Sequence, residues 1–155
     1  MQIRRAEEKD MERINVLLRQ VLAVHHNGRP DLFQEEGKKY SDEELKKLLS
    51  DDNKPIFVAT EEEKVVGYAF CAFVRHENDS VLNDGSSLYI DDLCVDETSR
   101  GTGIGKALFS YVKNFAKEQN CDSLTLNVWE CNPSAKRFYE KCGLKPYKTS
   151  MELVL

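Results

Sequence analysis

The sequence lacks any apolar run that approaches the roughly 20 residues needed for a membrane-spanning helix. Its first residues, MQIRRAEEKDMERI, also lack the apolar segment of a secretory signal peptide. We therefore expect a cytoplasmic protein that has no membrane partner.

Cysteine pairs of the CxxC type are absent, although the chain has five cysteines. Their odd number and scattered positions indicate neither a disulfide framework nor a zinc site. The adjacent His25 and His26 are too few ligands for zinc. We expect no metal, and reduced thiols at Cys71, Cys94, Cys121, Cys131 and Cys142.

A surplus of basic residues is absent as well, since 22 Lys and Arg face 27 Asp and Glu and give a formal net charge of -5. No basic stripe follows the chain, so a nucleic acid is not an expected partner. The acidic balance is compatible with a cationic amine substrate, but solubility alone is the more common reason for such a balance. Repeats and low-complexity linkers are also missing, and this length suits one domain over residues 1–155.

The apolar pattern that is present predicts alternating strands and helices. Ser41 and Glu44 form a capping box that opens one helix, and Asn132-Pro133 starts another. Turn-forming residues predict a loop from His25 to Tyr40. The predicted order is strand 2–6, helix 11–22, helix 42–49, strands 56–60, 64–74 and 86–95, helix 104–115, strand 124–128, helix 133–142 and a final strand 148–154. This order predicts an α/β fold in which helices cover both faces of a mixed, mostly antiparallel central sheet.

The stretch from Leu88 to Lys106, LYIDDLCVDETSRGTGIGK, carries the strongest chemical signal. A strand runs into a turn with glycine at positions 101, 103 and 105, and an amphipathic helix follows at once. Glycines let the backbone approach a ligand closely, and the first turn of a helix offers unpaired N–H groups with a partial positive charge. Arg100 and Lys106 add full positive charges. We call residues 100–106 the glycine turn, and its pattern indicates a pyrophosphate-binding site.

Two common phosphate-binding motifs do not fit the glycine turn. A P-loop requires glycine at the position of Arg100 and serine or threonine at the position of Ala107. The dinucleotide fingerprint GxGxxG would place its last glycine on Lys106 or on Leu108, depending on where it starts. The remaining structural alternative is a turn whose glycines only let a helix pack on a strand.

Four segments together resemble the GNAT superfamily of N-acetyltransferases. Residues 100–105, RGTGIG, match the R/Q-x-x-G-x-G/A signature of that family, and residues 92–96, DLCVD, resemble its splayed strand. Residues 132–135, NPSA, and residues 138–144, FYEKCGL, resemble its second cofactor motif. The resemblance implies the GNAT-like acyl-CoA N-acyltransferase fold and acetyl-CoA as the cosubstrate.

The clear part of the resemblance covers roughly residues 88–147. Leu144 departs from the family, in which phenylalanine is more usual, and this change concerns packing alone. By this resemblance, the backbone of Leu93 and Val95 binds the pantetheine arm like an added strand, and the amides of residues 101–106 bind the pyrophosphate. The implied cofactor-binding residues are Leu93, Cys94, Val95, Arg100, Gly101, Thr102, Gly103, Ile104, Gly105, Lys106, Asn132, Ser134 and Tyr139.

Tyr139 is the candidate general acid, because the resemblance places it near the thioester sulfur, where the leaving thiolate takes up a proton. The same residue also fits one apolar helical stripe with Ala135, Phe138 and Cys142. A core tyrosine with no chemical role is therefore the alternative.

Asp91 and Asp92 are the candidate bases, as two carboxylates on an otherwise apolar strand. An alkyl amine with a pKa of about 10.4 is mostly protonated at pH 7, so a base must take its proton before the amine attacks. Neighbours on a regular strand face opposite ways, and one of the two carboxylates should face solvent. Asp91 is preferred because it aligns with a glutamate of polyamine-acetylating relatives, unless a bulge reverses the alternation.

The acceptor site should lie beside the segment that holds the two histidines, because the corresponding loop lines that site in the family. The expected substrate-binding residues are His26, Asp91, Asp92, Trp129 and Glu130, with His25, Arg29, Asp31 and Glu152 nearby. An exposed loop is the alternative for His26, and a core or dimer-contact position is the alternative for Trp129. If neither aspartate is the base, the alternatives are His25, His26, Glu130 or bulk water.

Two functions remain open at this point. The first is an N-acetyltransferase that moves the acetyl group of acetyl-CoA to a primary amine by direct attack in a ternary complex. The amine would belong to a polyamine, an amino acid, an antibiotic-like molecule or a peptide. The second is a non-catalytic acetyl-CoA-binding module or structural dimer. The presence of Tyr139 and both carboxylates favours the enzyme, and we expect a homodimer.

Overall fold

The computed structural model describes residues 1–155 and contains one five-stranded sheet and four α-helices. The strands are β1 (Gln2–Arg5), β2 (Ile56–Glu61), β3 (Lys64–His76), β4 (Gly85–Val95) and β5 (Ser123–Leu126). The helices are α1 (Met11–Gly28), α2 (Asp42–Leu49), α3 (Ile104–Glu118) and α4 (Pro133–Lys141). None of the helices combines the length and the apolar character needed to cross a membrane.

The order of strands in the sheet follows the chain, from β1 to β5. Strands β1 to β4 form antiparallel pairs, whereas β5 runs parallel to β4. The parallel pair needs a crossover connection, which α3 supplies. The predicted mixed, mostly antiparallel sheet is therefore confirmed.

Two helical layers cover the two faces of the sheet. On one face, Ile14 and Leu17 of α1 and Leu45 of α2 are buried against β2 and β3. On the other face, Phe109 and Val112 of α3 are buried against β2, β3 and β4. Because β4 lies between the two layers, its side chains alternate between them, and this alternation positions the candidate site.

The predicted loop from His25 to Tyr40 begins too early. Helix α1 continues to Gly28, so His25 and His26 lie on its last turn. The N–H of Arg29 donates to the carbonyl of His25 at 2.8 Å and closes the helix. Pro30 follows directly, and a residue before proline is disfavoured in helical conformation. The helix therefore ends several residues later than predicted, because the turn-forming residues begin within its last turn.

The predicted final strand over residues 148–154 is wrong. Residues 145–155 belong to no helix or strand, and backbone hydrogen bonding ends where the Leu144 N–H donates to the Tyr139 carbonyl at 3.1 Å. The side chains of Met151, Leu153 and Val154 are 92%, 84% and 81% exposed. The alternating apolar pattern is real, but the sheet ends at β5 and this segment pairs with no strand of its own chain.

Candidate active site

The site begins where β4 and β5 separate. These strands pair only from Ser87 with Ser123 to Ile90 with Leu126. Beyond Ile90, β4 continues to Val95, still paired with β3 but open on its other edge. The last five residues of β4 therefore line a cleft into which an extended ligand can insert.

The backbone of Leu93 and Val95 faces this open edge. Asp96 N–H donates to the Val66 carbonyl at 2.8 Å, which makes these two residues a hydrogen-bonded pair. Hydrogen-bonded and non-bonded pairs alternate along an antiparallel ladder, so Leu93 and Val95 direct their backbone groups away from β3. The Cys94 side chain is buried on the α1 face, and its backbone belongs to the ladder with β3. An added-strand interaction with a pantetheine arm is therefore available at two of the three expected residues.

The segment between β4 and the glycine turn is held in place by Asp96. This buried carboxylate forms an ion pair with Arg13 of α1 and accepts hydrogen bonds from the backbone N–H and the hydroxyl of Thr98 at 3.1 and 2.9 Å. Arg13 also donates to the Val65 carbonyl at 3.1 Å. These contacts fix the path by which the chain leaves the sheet and enters the turn.

The glycine turn presents free N–H groups to solvent. Gly103 caps α3 with a φ of 93°, a left-handed conformation that favours glycine, and no side chain caps the helix. The first helical bond runs from Ala107 to the Gly103 carbonyl at 3.0 Å. The N–H groups of Ile104, Gly105 and Lys106 consequently have no partner within the helix, as expected at a helix start. This is the donor set that an anion requires.

Open space and positive charge surround these N–H groups. Arg100, Thr102 and Lys106 are exposed, and Gly101 also adopts a positive φ, of 81°. An open groove of about 430 Å³ lies between α1 and residues Glu97 and Arg100. Thr102 directs its hydroxyl to the Ser99 carbonyl, at 2.7 Å. The turn therefore fits a pyrophosphate, with its amides and two cations as donors.

Ile104 contributes differently from its neighbours in the turn. Its side chain is buried in a small cluster with Ala59, Val66 and Leu108. Only its backbone N–H is available to a ligand, while the side chain anchors the start of α3 on the sheet.

A bulge interrupts β4 at Asp91. Phe70 of β3 lies opposite Asp92, whereas the next residue, Cys71, lies opposite Ile90, so Asp91 has no partner. An extra residue of this kind shifts the alternation of side chains on the bulged strand. The regular alternation expected from the sequence therefore does not hold at the two aspartates.

The Asp91 carboxylate is held by two neighbours from the loop before α2. The Tyr40 hydroxyl donates to Asp91 Oδ2, and Lys39 Nζ lies 2.8 Å from the same oxygen. Lys39 Nζ also donates to the Asp91 backbone carbonyl at 3.2 Å. The Tyr40 ring stacks on Phe70 with a centroid distance of 5.2 Å. Asp91 is thus already hydrogen-bonded and paired with a cation.

The Asp92 carboxylate lies on the same side of the sheet as Asp91. The hydroxyl of Tyr68, which is completely buried, donates to Asp92 Oδ2 at 2.9 Å. Burial raises the pKa of Asp92 to about 6, although the Tyr68 hydrogen bond and the nearby charge of Lys39 act in the opposite direction. Because both carboxylates contact residues of the α1 and α2 face, the expectation that one of them would face solvent is wrong.

Tyr139 lies on α4, across the cleft from β4. Its ring packs at 5.1 Å from Phe138 and 6.4 Å from Phe109. Burial, followed by the charge of nearby Asp92, raises the pKa of Tyr139 well above its ordinary value. The hydroxyl accordingly stays protonated at neutral pH. The core packing of the ring and a free proton donor are compatible, because the two properties belong to different parts of the side chain.

The start of α4 is set by Asn132. Its side-chain oxygen accepts hydrogen bonds from the Ala135 N–H at 3.2 Å and from the Ser134 hydroxyl at 3.3 Å, and Pro133 occupies the first helical position. The predicted helix cap is confirmed. Asn132 and Ser134 therefore form a local cap, and this cap fixes the position of both side chains at the start of α4.

Aromatic side chains gather at the end of α1. The rings of His25 and Phe33 lie 4.9 Å apart, and Trp129 meets Phe33 edge-on at 5.0 Å. Burial, with a smaller effect from Lys39, lowers the pKa of His25. His26 Nδ1 lies 2.9 Å from the Phe33 carbonyl and so holds the loop. His25, Phe33 and Trp129 thus form one aromatic wall, and the charge of Lys39 acts on its His25.

The other expected acceptor residues lie in surface ion pairs. Glu130 pairs with Lys136 at 2.6 Å, and its side chain is 84% exposed. Arg29 bridges Asp31 at 2.6 Å and Glu152 at 2.5 Å. The last pair ties the C-terminal segment to the end of α1. No group of three or more His, Cys, Asp or Glu side chains is arranged to hold a metal ion.

Sequence reasoning missed four residues that shape the site. Lys39, Tyr40 and Phe33 lie in the segment predicted as a plain loop, where no periodicity marks them. Tyr68 lies in the predicted central strand and reads as core. Its contact with Asp92 follows only from the strand register, in which Phe70, two residues after Tyr68, lies opposite Asp92.

Three comparisons with known proteins found similar sequences and structures. A family model described as "Acetyltransferase (GNAT) family" matches residues 21–144. Glucosamine 6-phosphate N-acetyltransferase of Arabidopsis thaliana is 28% identical over 103 residues, which are 66% of this chain and 67% of that protein. Peptidyl-lysine N-acetyltransferase YjaB of Salmonella typhimurium is 29% identical over 146 residues, 92% of this chain and 82% of that protein.

A solved structure is similar over the whole chain. A crystal structure of a mutant protein from Bacillus halodurans superposes with a TM-score of 0.95 and 31% identity, covering 100% of this chain and 99% of that one. Some relatives are longer: the match to human N-acetyltransferase 8B is 35% identical and spans 42% of that protein's length.

Proposed function

The chain belongs to the acetyltransferase (GNAT) family, and on that premise we propose that it transfers the acetyl group of acetyl-CoA to a primary amine by direct attack in a ternary complex. The observation that carries this proposal is the open edge of β4 at Leu93 and Val95, which leads to the free N–H groups of the glycine turn. Asp92 lies on this part of β4, and its charge acts on Tyr139 of α4.

The cofactor would be held by backbone groups more than by side chains. The free N–H groups at the start of α3 suit a pyrophosphate, and the open edge at Leu93 and Val95 suits a pantetheine amide. Arg100 and Lys106 add charge to the turn. When bound, acetyl-CoA supplies an activated acetyl group as a thioester. Gly101, Thr102 and Gly103 leave the approach open, while Asn132 and Ser134 fix the start of α4 on the opposite side of the cleft.

Asp92 is the base in this proposal, in preference to Asp91. Asp91 already bonds Tyr40 and Lys39, whereas Tyr68 is the only side chain that donates to Asp92. With a pKa of about 6, Asp92 is mostly ionised at pH 7 and yet more basic than an ordinary carboxylate. It would take the amine proton directly or through water.

Tyr139 is the acid in this proposal. Its raised pKa keeps the hydroxyl protonated, and a protonated phenol can give its proton to the leaving thiolate. The nearby Asp92 carboxylate disfavours ionisation of the tyrosine before the thiolate forms. Acid and base therefore keep distinct protonation states at the same pH.

The acceptor is a primary amine on a small molecule or on a peptide lysine. The Lys39 amine on the Asp91 carboxylate supports this, since a primary ammonium group fits at that position. The wall of His25, Phe33 and Trp129 offers an aromatic surface to the rest of the acceptor, and His26 fixes that wall. Relatives are named for glucosamine 6-phosphate and for peptidyl-lysine, so both chemistries belong in the acceptor panel.

We also propose a homodimer of a single domain spanning residues 1–155. The exposed apolar C-terminal run supports a surface that a second copy would cover. Sedimentation equilibrium of the full chain and of a chain ending at Ser150 tests this. We expect a dimer that weakens on truncation, and a monomeric full chain would contradict it.

The alternative is a module that binds acetyl-CoA without turnover. Thermal shift with CoA measures binding in either case, whereas release of free thiol with a panel of amines occurs only in an enzyme. We expect both a rise in Tm with CoA and amine-dependent thiol release. CoA binding without thiol release across polyamines, amino acids, aminosugar phosphates and lysine peptides would favour the module.

A further inference from the structure

A lysine amine of the protein itself is bound to Asp91, the residue adjacent to the proposed base Asp92. Lys39 Nζ lies 2.8 Å from Asp91 Oδ2 and 3.2 Å from the Asp91 carbonyl, and the side chain is 43% exposed. We propose that Lys39 is a self-acetylation site, whose amine accepts the acetyl group when no other acceptor is bound. This inference rests on the proposed acetyl transfer.

The position of Lys39 relative to the cofactor edge supports this assignment. Leu93, whose backbone faces the open edge, is two residues beyond Asp91, and two residues of a strand span about 7 Å. Lys39 contacts the Asp91 backbone itself, so its amine lies at the end of the path offered to the pantetheine arm. The side chain is 43% exposed, so the protein does not enclose the amine.

The transfer to Lys39 uses the same base and acid as transfer to any other amine. Asp92, directly or through water, takes a proton from the Lys39 ammonium. The neutral nitrogen then forms a C–N bond with the acetyl carbon while the C–S bond breaks, and the second proton on nitrogen passes to water as the amide forms. Tyr139 gives its proton to the departing sulfur. The products are Nε-acetyl-Lys39 and CoA with a free thiol, and bulk water returns the two catalytic residues to their starting protonation states.

The neighbouring lysine is a matched control for this site. Lys38 Nζ is bound by Asn15 at 2.8 Å and by Asp42, and its side chain is 17% exposed. Adjacent in sequence, the two lysines therefore direct their amines to different places: one to the carboxylates of β4 and the other to α1 and the start of α2.

Acetylation of Lys39 would change the site that performs it. An amide carries no positive charge, so the ion pair with Asp91 is lost. Because the charge of Lys39 lowers the pKa of Asp92, its removal raises that pKa further. More of the base is then protonated at pH 7, and the acidic limb of the activity profile moves to higher pH. Self-acetylation thus reduces transfer to other acceptors near neutral pH.

Mass spectrometry of the full chain tests the inference directly. The protein is incubated with isotope-labelled acetyl-CoA and no acceptor, and labelled peptides are mapped over time. We expect label on Lys39, at a fractional rate independent of protein concentration. The label should disappear in Lys39→Arg, remain in Lys38→Arg, and form on the order of 10²-fold more slowly in Asp92→Asn.

Chemical acetylation without catalysis gives a different pattern. Equal labelling of Lys38 and the exposed lysines, or an unchanged Lys39 rate in Asp92→Asn, overturns the inference. The same preparations are assayed for thiol release with the amine panel. Release with free amines but no label on Lys39 overturns self-acetylation and leaves the proposed function standing. Neither release nor label overturns both.

Discussion

The buried hydroxyl of Tyr68 donates a 2.9 Å hydrogen bond to Asp92, one strand away on the sheet. Tyr68 is fully buried, whereas Asp92 is partly accessible at the cleft. The donor stabilises the ionised carboxylate and so opposes burial, which raises the pKa of Asp92 to about 6. The pKa of Asp92 is therefore low enough for the carboxylate to be mostly ionised at pH 7. It is also high enough to make Asp92 a stronger base than an exposed carboxylate.

Removing that hydrogen bond should move the pH profile. In Tyr68→Phe the carboxylate loses a donor to its charged form, so the pKa of Asp92 rises and the acidic limb of kcat/KM shifts to higher pH. A hydrogen bond to a charged group worth about 1.5 kcal/mol corresponds to a shift of about one pH unit. The measurement is kcat/KM against pH for wild type and variant.

Tyr40→Phe is the control for this shift, because it removes the equivalent hydroxyl from Asp91 instead. We expect its acidic limb to stay near that of wild type. If a folded Tyr68→Phe protein has the same acidic limb of kcat/KM as wild type, Tyr68 does not affect the pKa of the base.

The proposed acid is tested by Tyr139→Phe, which keeps the ring packing against Phe138 and Phe109 and removes only the hydroxyl. We expect kcat to fall about 10²-fold with CoA affinity little changed. The assay should use an acceptor for which chemistry limits turnover. A rate near that of wild type under that condition would show that Tyr139 has only a structural role.

The glycine turn is tested by Gly103→Val. A Cβ added at Gly103 meets nothing within 4 Å, but valine would block ligand approach and strain a φ of 93°. We expect CoA binding to weaken by about 10-fold or more, equivalent to about 1.4 kcal/mol. Isothermal titration with CoA gives the affinity.

Gly143→Val separates backbone strain from ligand contact. Gly143 has a φ of 96° and equally open surroundings, but it lies after α4. It should destabilise the fold by a similar amount and leave CoA affinity near that of wild type. If both valine variants bind CoA as wild type does, the turn is not the pyrophosphate site.

The sequence predicted the elements that local chemistry determines. The capping box at Ser41 and the cap at Asn132 each act within a few residues, and the structure has both where expected. The order of strands and helices followed from the same local patterns, up to the end of α4.

The sequence did not predict what depends on partners distant in the chain. The bulge at Asp91 exists only in the register with β3, so two adjacent aspartates read as opposite-facing. Lys39 reaches Asp91 across 52 positions, and no pattern in its own loop indicates that contact. The C-terminal alternation predicts a strand, but whether it pairs depends on a neighbour that its own sheet does not provide.

pH–rate profiles of Asp92→Asn and Asp91→Asn determine whether Asp92 takes the proton of the acceptor amine. We expect Asp92→Asn to lower kcat/KM by about 10²- to 10⁴-fold at neutral pH. This loss should shrink as the pH approaches the pKa of the amine, because more acceptor then arrives neutral. Asp91→Asn should keep the shape of the wild-type profile. A pH-dependent loss in Asp91→Asn, together with a near-normal Asp92→Asn enzyme, would show that Asp92 is not the base.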